Sequence, residues 1–185
     1  MKMTGAELII TLLERQGIEI IAGMPGGANL PLYDVLSRNS RIRHVLARHE
    51  QGAGFIAQGM ARATGRPQMC FATSGPGATN LLTAIADAKL DSIPIVCITG
   101  QGPTALIGTD AFQGIDTYGL SIPITKHNYL VRDVRELPRI LPEAFRIASS
   151  GRPGPRLIHA PVDVYDKAFP MVPPGASNSQ MLTRA

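Results

Sequence analysis

Apolar positions along the chain change period several times, and each change marks an element. The stretch Leu8 to Leu13 is apolar with a helical period, and Thr4-Gly5-Ala6-Glu7 ahead of it has the spacing of a capping box. A helix is predicted there, stopping at Gly17. Ile18 to Ala22 reads as a short strand, Gly23 to Gly27 as a sharp turn, and Asn29 to Ser37 as a helix. Ile42 to Ala47 is the next strand, followed at once by His49 and Glu50 and a helix to about Thr64. The same order then repeats: strand Gln68 to Ala72, turn Thr73 to Gly77, helix Ala78 to Lys89, strand Ile93 to Thr99.

Strand, glycine-rich turn and helix in alternation are the mark of βαβ units. The strands are almost wholly apolar, so they predict a parallel α/β sheet of about six strands with helices on both faces and right-handed crossovers. After Gly100 the pattern loosens, and Gln101 to Leu120 reads as a long loop, a feature that in compact domains is commonly functional. Ile124 to Val131 is a further strand and Glu136 to Ser149 a helix, in which Pro138 suits the start and Pro142 is expected to kink or delay it. Gly151 to Pro155 is a rigid turn before a last strand, Arg156 to Ala160. Beyond Tyr165 the period disappears, so the reading is one domain over 1–165 and a linker or tail over 166–185 that leads toward a further domain.

Composition narrows the class. Hydrophobic residues make up 44% and charged residues 17%, which excludes a disordered chain. No apolar run approaches the roughly 18 residues of a membrane helix, and Glu7 falls too early for a secretory signal, so a cytoplasmic protein without a membrane partner is expected. The formal charge is only +4, and the arginines are spread among acids without aromatic interleaving, which argues against nucleic acid. Cys70 and Cys97 lie inside apolar runs and read as buried free thiols.

Candidate chemistry gathers at the turns. Glycine-rich segments at Gly23 to Gly27, Ser74 to Asn80 and Gly100 to Gly102 fall at carboxyl ends of strands, where open α/β sheets bind ligands, although such segments can also simply turn the chain. Gly75-Pro76-Gly77-Ala78-Thr79-Asn80 is not a dinucleotide fingerprint, no phosphate-binding P-loop or nucleophile elbow is present, and the four histidines form no metal motif. Glu50 stands apart, just past a buried strand at a helix start. It can favour the helix dipole, or act as a partly buried carboxylate that trades a proton with a ligand nitrogen.

Taken together, several stretches resemble the N-terminal pyrimidine-binding domain of thiamine-diphosphate enzymes, and within them the acetohydroxyacid (acetolactate) synthase large subunits. They are Met24-Pro25-Gly26-Gly27, Arg48 to Gly54, Thr73 to Asn80, Asp91 to Pro94, Ile107 to Gln113, Ile124 to Asn128 and Ser150 to Pro155, in family order up to about Asp163. The resemblance implies a flavodoxin-like three-layer fold and thiamine diphosphate as cofactor. It implies that Glu50 is catalytic, hydrogen-bonding N1′ of the aminopyrimidine so that the ring can take the thiazolium C2 proton. Pyruvate would then be decarboxylated and condensed with a second 2-ketoacid. Gly26, Gly27, Pro76 and Asn80 match cofactor-side positions, Arg152 matches an arginine that contacts FAD, and Ala28, Phe112, Gln113 and Lys126 match the substrate side, with Pro103 and Ala111 along the channel wall. The family also implies Mg²⁺, a homodimer or larger homo-oligomer and a small regulatory subunit.

Two departures qualify the match. Pro161-Val162-Asp163 stands where the family usually has Pro-Lys-Asp, and no Gly-Asp-Gly segment for Mg²⁺ and diphosphate occurs, so the 185 residues by themselves are expected to be inactive. The other readings weighed are the pyrimidine domain of another thiamine-diphosphate carboligase or decarboxylase, a stand-alone dimerising module, and a flavodoxin-like nucleotide-binding domain. Glyoxylate carboligase is disfavoured, because it lacks the counterpart of Glu50.

Overall fold

The computed structural model describes residues 2–38 and 41–170. In chain order the elements are β1 (Lys2–Thr4), α1 (Gly5–Arg15), β2 (Ile20–Gly23), α2 (Leu30–Arg38), β3 (Arg43–Leu46), α3 (Glu50–Thr64), β4 (Gln68–Ala72), α4 (Pro76–Leu90), β5 (Ile95–Gln101), α5 (Thr117–Ser121), β6 (His127–Leu130), α6 (Leu137–Ser149), β7 (Arg156–Pro161), α7 (Val162–Asp166) and β8 (Ala168–Pro170). Short 3₁₀ turns join some of them.

Local chemistry sets the first helix. The Thr4 amide donates to Glu7 Oε2 at 2.7 Å and the Glu7 amide to Thr4 Oγ1 at 3.2 Å, closing the expected capping box. Gly17, at φ 76°, takes the left-handed conformation that ends the helix, and the Ile18 amide returns to the Leu13 carbonyl.

Six strands form one parallel sheet in the order β3-β2-β4-β5-β7-β6. Alternate residues of the central strands feed two cores. Met69, Phe71, Val96, Ile98 and Ile158 meet α1 and α6 on one face. Cys70, Ala72, Cys97 and Leu157 meet α3 and α4 on the other. This is the predicted three-layer arrangement. Along the chain, β3 lies on one side of β2 and β4 on the other, so the topology switches direction at the β2–β4 boundary. The carboxyl ends of those two strands open the crevice where such sheets bind ligands.

Two expectations change. Helix α6 runs unbroken across Pro142. Its buried face of Leu137, Ile140, Leu141, Ala144, Phe145 and Ala148 outweighs the one backbone hydrogen bond that the proline removes. The segment read as a tail from 166 begins inside the fold. Strand β8 pairs antiparallel with β1, and Phe169 is fully buried in the larger core, so packing extends to 170. The remainder of that reading, 171–185, lies outside the described residues. The long loop is largely as expected, with a 3₁₀ turn at Thr104–Leu106 and the short α5 near its end.

Candidate functional site

Glu50 is the first residue of α3 and is only 3% exposed, although a carboxylate at an ordinary helix start would face water. Its burial is matched by a donor: Asn80 Nδ2, on the neighbouring helix α4, lies 2.9 Å from Glu50 Oε2. The other oxygen, Oε1, lies against Gly77, where an added Cβ would come within 3.1 Å of it. Among the described residues Oε1 has no hydrogen-bond partner, so one carboxylate oxygen is held and the other is available.

The glycines around it mark close approach. A Cβ on Gly77 would sit 2.6 Å from Thr73 Cγ2, and one on Gly26 would sit 2.5 Å from Thr73 Cβ. Thr73 therefore wedges between the turn after β2 and the start of α4. Its Oγ1 also accepts the Ala28 amide at 3.2 Å. Asn29 closes the Gly26 turn, accepting the Gly26 amide at 2.7 Å and donating to the Met24 carbonyl at 3.3 Å. At Gly27 an added Cβ would meet nothing within 4 Å, so the turn keeps open space beside it. The backbone of Ala28 packs on Gly100 at the end of β5, leaving no room there for a side chain.

The long loop reaches the same edge. Gly75 at φ 55° precedes Pro76, the first residue of α4, and a Cβ on Gly75 would lie 2.7 Å from Gln113 Cβ. Ser74 donates its hydroxyl to Gln113 Oε1 at 3.2 Å. Gln113 is itself a non-glycine residue in the left-handed region, at φ 59°. Phe112 beside it is 91% exposed. Beneath this loop lies a cavity of about 570 Å³, lined by residues that include Gln101, Leu106, Ile115, Tyr118, Leu130 and His159.

Glu50, Asn80, Pro76, Gly26, Gly27, Ala28, Phe112 and Gln113 thus gather at the carboxyl edge of the sheet. Arg152 and Lys126 do not: both sit in segments that enter strands, at the amino edge. Arg152 clasps the end of α4, donating to Ser92 Oγ at 2.7 Å and the Leu90 carbonyl at 3.1 Å. Lys126 donates to the Ile147 and Ser150 carbonyls at 2.6 and 2.7 Å, capping α6. Burial, with Arg156 and Lys89 nearby, draws the Lys126 ammonium below its ordinary pKa.

Sequence reasoning did not single out Tyr33, His159 or Asp163. The Tyr33 ring stands edge-on to His44 and to Phe71, and its hydroxyl lies over Gly23. Burial, then Cys70, then the charge of Glu50 raise its phenol pKa, which places it in the field of the carboxylate. A lone tyrosine in a helix carries no local signal of this. Asp163 anchors the start of the long loop by accepting the Thr104 amide and hydroxyl at 2.9 and 2.8 Å.

A buried carboxylate with one oxygen free, beside a glycine turn with open space, suits a ligand nitrogen that gives up or takes a proton. The family model of thiamine pyrophosphate enzymes, N-terminal TPP binding domain, matches residues 3–120. The chain belongs to that family. It is 67% identical over 168 residues to the acetolactate synthase isozyme 1 large subunit of Escherichia coli, a match over 91% of this chain and 30% of that protein. It is 58% identical over 163 residues to an acetolactate synthase of Mycobacterium bovis, over 88% of this chain and 26% of that protein. Against the chloroplastic acetolactate synthase of Arabidopsis thaliana it is 55% identical over 160 residues, over 86% of this chain and 24% of that protein. This thiamine-pyrophosphate-family chain therefore spans less than a third of the length of these relatives. The similarity to acetolactate synthases and the α/β class agree with the sequence reading.

Proposed function

We propose that the chain is the pyrimidine-binding part of a thiamine-diphosphate-dependent acetolactate synthase that acts on pyruvate and a second 2-ketoacid. The observation that supports this most is the buried Glu50, hydrogen-bonded by Asn80, close to the Gly26–Gly27 turn at the topological switch. The residues present fit an aminopyrimidine: Gly27 leaves space, Thr73 fixes both turns, and Glu50 keeps a free oxygen for a ring nitrogen. When bound, thiamine diphosphate supplies the electron sink for decarboxylation. Glu50 holds or moves a proton at the ring nitrogen. Asn80 orients the carboxylate, and the turns of Gly26 and Gly75 exclude water from one side. Phe112, Gln113 and Ala28 border the space in front of the reacting centre.

No group of three or more His, Cys, Asp or Glu suited to a metal ion occurs among the described residues, so the Mg²⁺ in this reading is held elsewhere in the protein and no step here runs through it. FAD belongs to the reading in the same way, with Arg152 as its contact from this chain and Lys126 on the substrate channel. Both lie at the amino edge, so they would meet those groups across a different surface from Glu50. The same reading makes the packed chain to 170 the pyrimidine domain and the segment after it a connection to another domain. It includes a homo-oligomer, a regulatory subunit and a cytoplasmic location. The exposed Leu46, Phe55 and Phe112 support a partner at the carboxyl edge, and the two free buried cysteines suit a reducing compartment. No helix among the described residues is long and apolar enough to cross a membrane.

The test is Glu50→Gln in the full-length enzyme. The expected result is a loss in turnover of about 10²-fold or more, with C2-proton exchange of bound thiamine diphosphate slowed in parallel and the fold intact. Wild-type exchange and turnover in that variant would leave Glu50 only a helix-start role.

A further inference from the structure

We propose that His159 is a positioning residue for the substrate side of the site, seating Gln113 through an unbroken run of hydrogen bonds. The proposal rests on the functional reading above. His159 is 1% exposed, in β7. Its Nδ1 lies 2.8 Å from Thr99 Oγ1 on β5 and 3.2 Å from Thr117 Oγ1, on the first residue of α5. The Thr117 amide donates to the Ile115 carbonyl at 2.8 Å, and the Ile115 amide donates to the Gln113 carbonyl at 3.1 Å. Gln113 Oε1 then accepts the Ser74 hydroxyl, one residue before Gly75 and the start of the helix that carries Asn80. Every link from the imidazole to that turn is a direct hydrogen bond.

The run has something to hold. Gln113 sits at φ 59°, a conformation that a side-chain-bearing residue keeps only when its surroundings over-determine it. Contact with Gly75 and the bond from Ser74 constrain it from one side, and the Thr117 strap does so from the other. The loop between β5 and α5 is therefore pinned at both ends by the chain leaving the sheet: at its start by Asp163, at its end by His159. A histidine is a costly choice for packing alone. Its Nε2 is buried without a partner, whereas an aliphatic side chain would fill the strand position with no polar atom to satisfy. The three-centre hydrogen bond at Nδ1, shared between two threonines on two other elements, is what an aliphatic residue cannot supply.

The test uses the full-length enzyme. Thr117→Val is nearly isosteric, cuts only the strap, and leaves His159 with Thr99. His159→Leu removes both bonds, and His159→Asn keeps a short polar group in their place. Thr117→Val and His159→Leu are expected to raise KM for pyruvate about tenfold, the scale of a small misplacement, with little change in kcat. C2 exchange of bound thiamine diphosphate should stay at the wild-type rate, because Glu50 is not on this path. His159→Asn should recover most of the KM. In the protein without cofactor, amide exchange at Ile115 should quicken at least tenfold in Thr117→Val, and adding Thr117→Val to Gln113→Ala should raise KM no further. An unchanged KM in Thr117→Val, or C2 exchange slowed along with it, would overturn the proposal. A wild-type enzyme without C2 exchange would overturn the functional reading and the proposal with it, and that result is separable because it appears before any substitution is made.

Discussion

Asn80 and Glu50, thirty residues apart, meet because α3 and α4 pack almost backbone to backbone, and the 2.9 Å bond from the Asn80 amide to Glu50 Oε2 is what that closeness delivers. A buried carboxylate without a donor would be costly. One with a fixed donor on each oxygen would leave neither oxygen wholly open to a ligand. The arrangement satisfies one oxygen and leaves the other open.

Replacing the donor should therefore impair function more than folding. Asn80→Leu removes a hydrogen bond to a charged group, worth about 1.5–3 kcal/mol. In the full-length enzyme this predicts a fall of about tenfold or more in C2 exchange and turnover, with a native circular dichroism spectrum. Asn80→Asp, which puts a second carboxylate beside the first, should be worse than Asn80→Leu below saturating cofactor.

The helix contact that brings the pair together depends on Gly54. A Cβ there would lie 2.6 Å from Ala84 Cβ, well inside contact distance. Gly54→Ala should destabilise the protein by about 1–3 kcal/mol. Gly59→Ala, on the same helix where nothing lies within 4 Å, should stabilise it by about 0.5–1 kcal/mol. Thermal melts of the two variants check the sign. If Gly54→Ala also raised the melting temperature, the close-packing argument would fail.

The sheet and its helices were legible because the strands are uninterrupted apolar runs between glycine turns, and α3, expected from His49 and Glu50 to about Thr64, spans Glu50–Thr64. Boundaries slipped where apolar residues run past the ladder. Ile93 is apolar, yet strand β5 starts at Ile95, after Pro94. Strand β8 was hidden because three residues of proline-rich chain carry no period, and only the partner strand near the other end of the sequence shows that Phe169 is core. Within the site, local motifs exposed Glu50, Gly26 and Asn80. Element order already put Arg152, in the turn that enters the last strand of a parallel sheet, at the amino edge, but Lys126 was hidden because the strand expected from Ile124 starts only at His127. Nor could local motifs show His159, whose partners are 60 and 42 residues away.

Arg156 offers a prediction about stability alone. It is 2% exposed, its Nε and Nη1 are buried without partners, and burial brings its guanidinium pKa down to about 10. Glu143 attracts this cation, but two of its buried donors have no hydrogen-bond partner, a standing cost that an apolar residue of similar length does not carry. Arg156→Met should leave the unfolding free energy measured in urea unchanged or raise it, by up to about 4 kcal/mol. A marked loss of stability would show that the arginine has a compensating partner after all.

The last prediction concerns acid. Burial is the largest influence on His159 and takes its pKa from the ordinary 6.5 down to about 4, with Asp116 pulling weakly the other way. The unfolded chain therefore binds a proton at this position below about pH 6.5, while the folded chain resists it until about pH 4. In that window the unfolded state holds more protons, so stability rises with pH. The stabilisation is complete above pH 6.5 and falls away as the pH drops toward 4. The gap between the two values corresponds to about 3 kcal/mol if fully expressed. Burial also lowers the pKa of His44, so the wild-type slope sums at least two groups. The difference between wild type and His159→Asn isolates one of them. Asn carries no titrating group, so the variant's unfolding free energy should depend less steeply on pH between 6.5 and 4, and its disadvantage relative to wild type should shrink or reverse at the acid end. Equilibrium urea unfolding of both proteins at half-unit steps across that range measures this directly. Parallel curves would mean that His159 takes up its proton as readily in the folded protein as in the unfolded one.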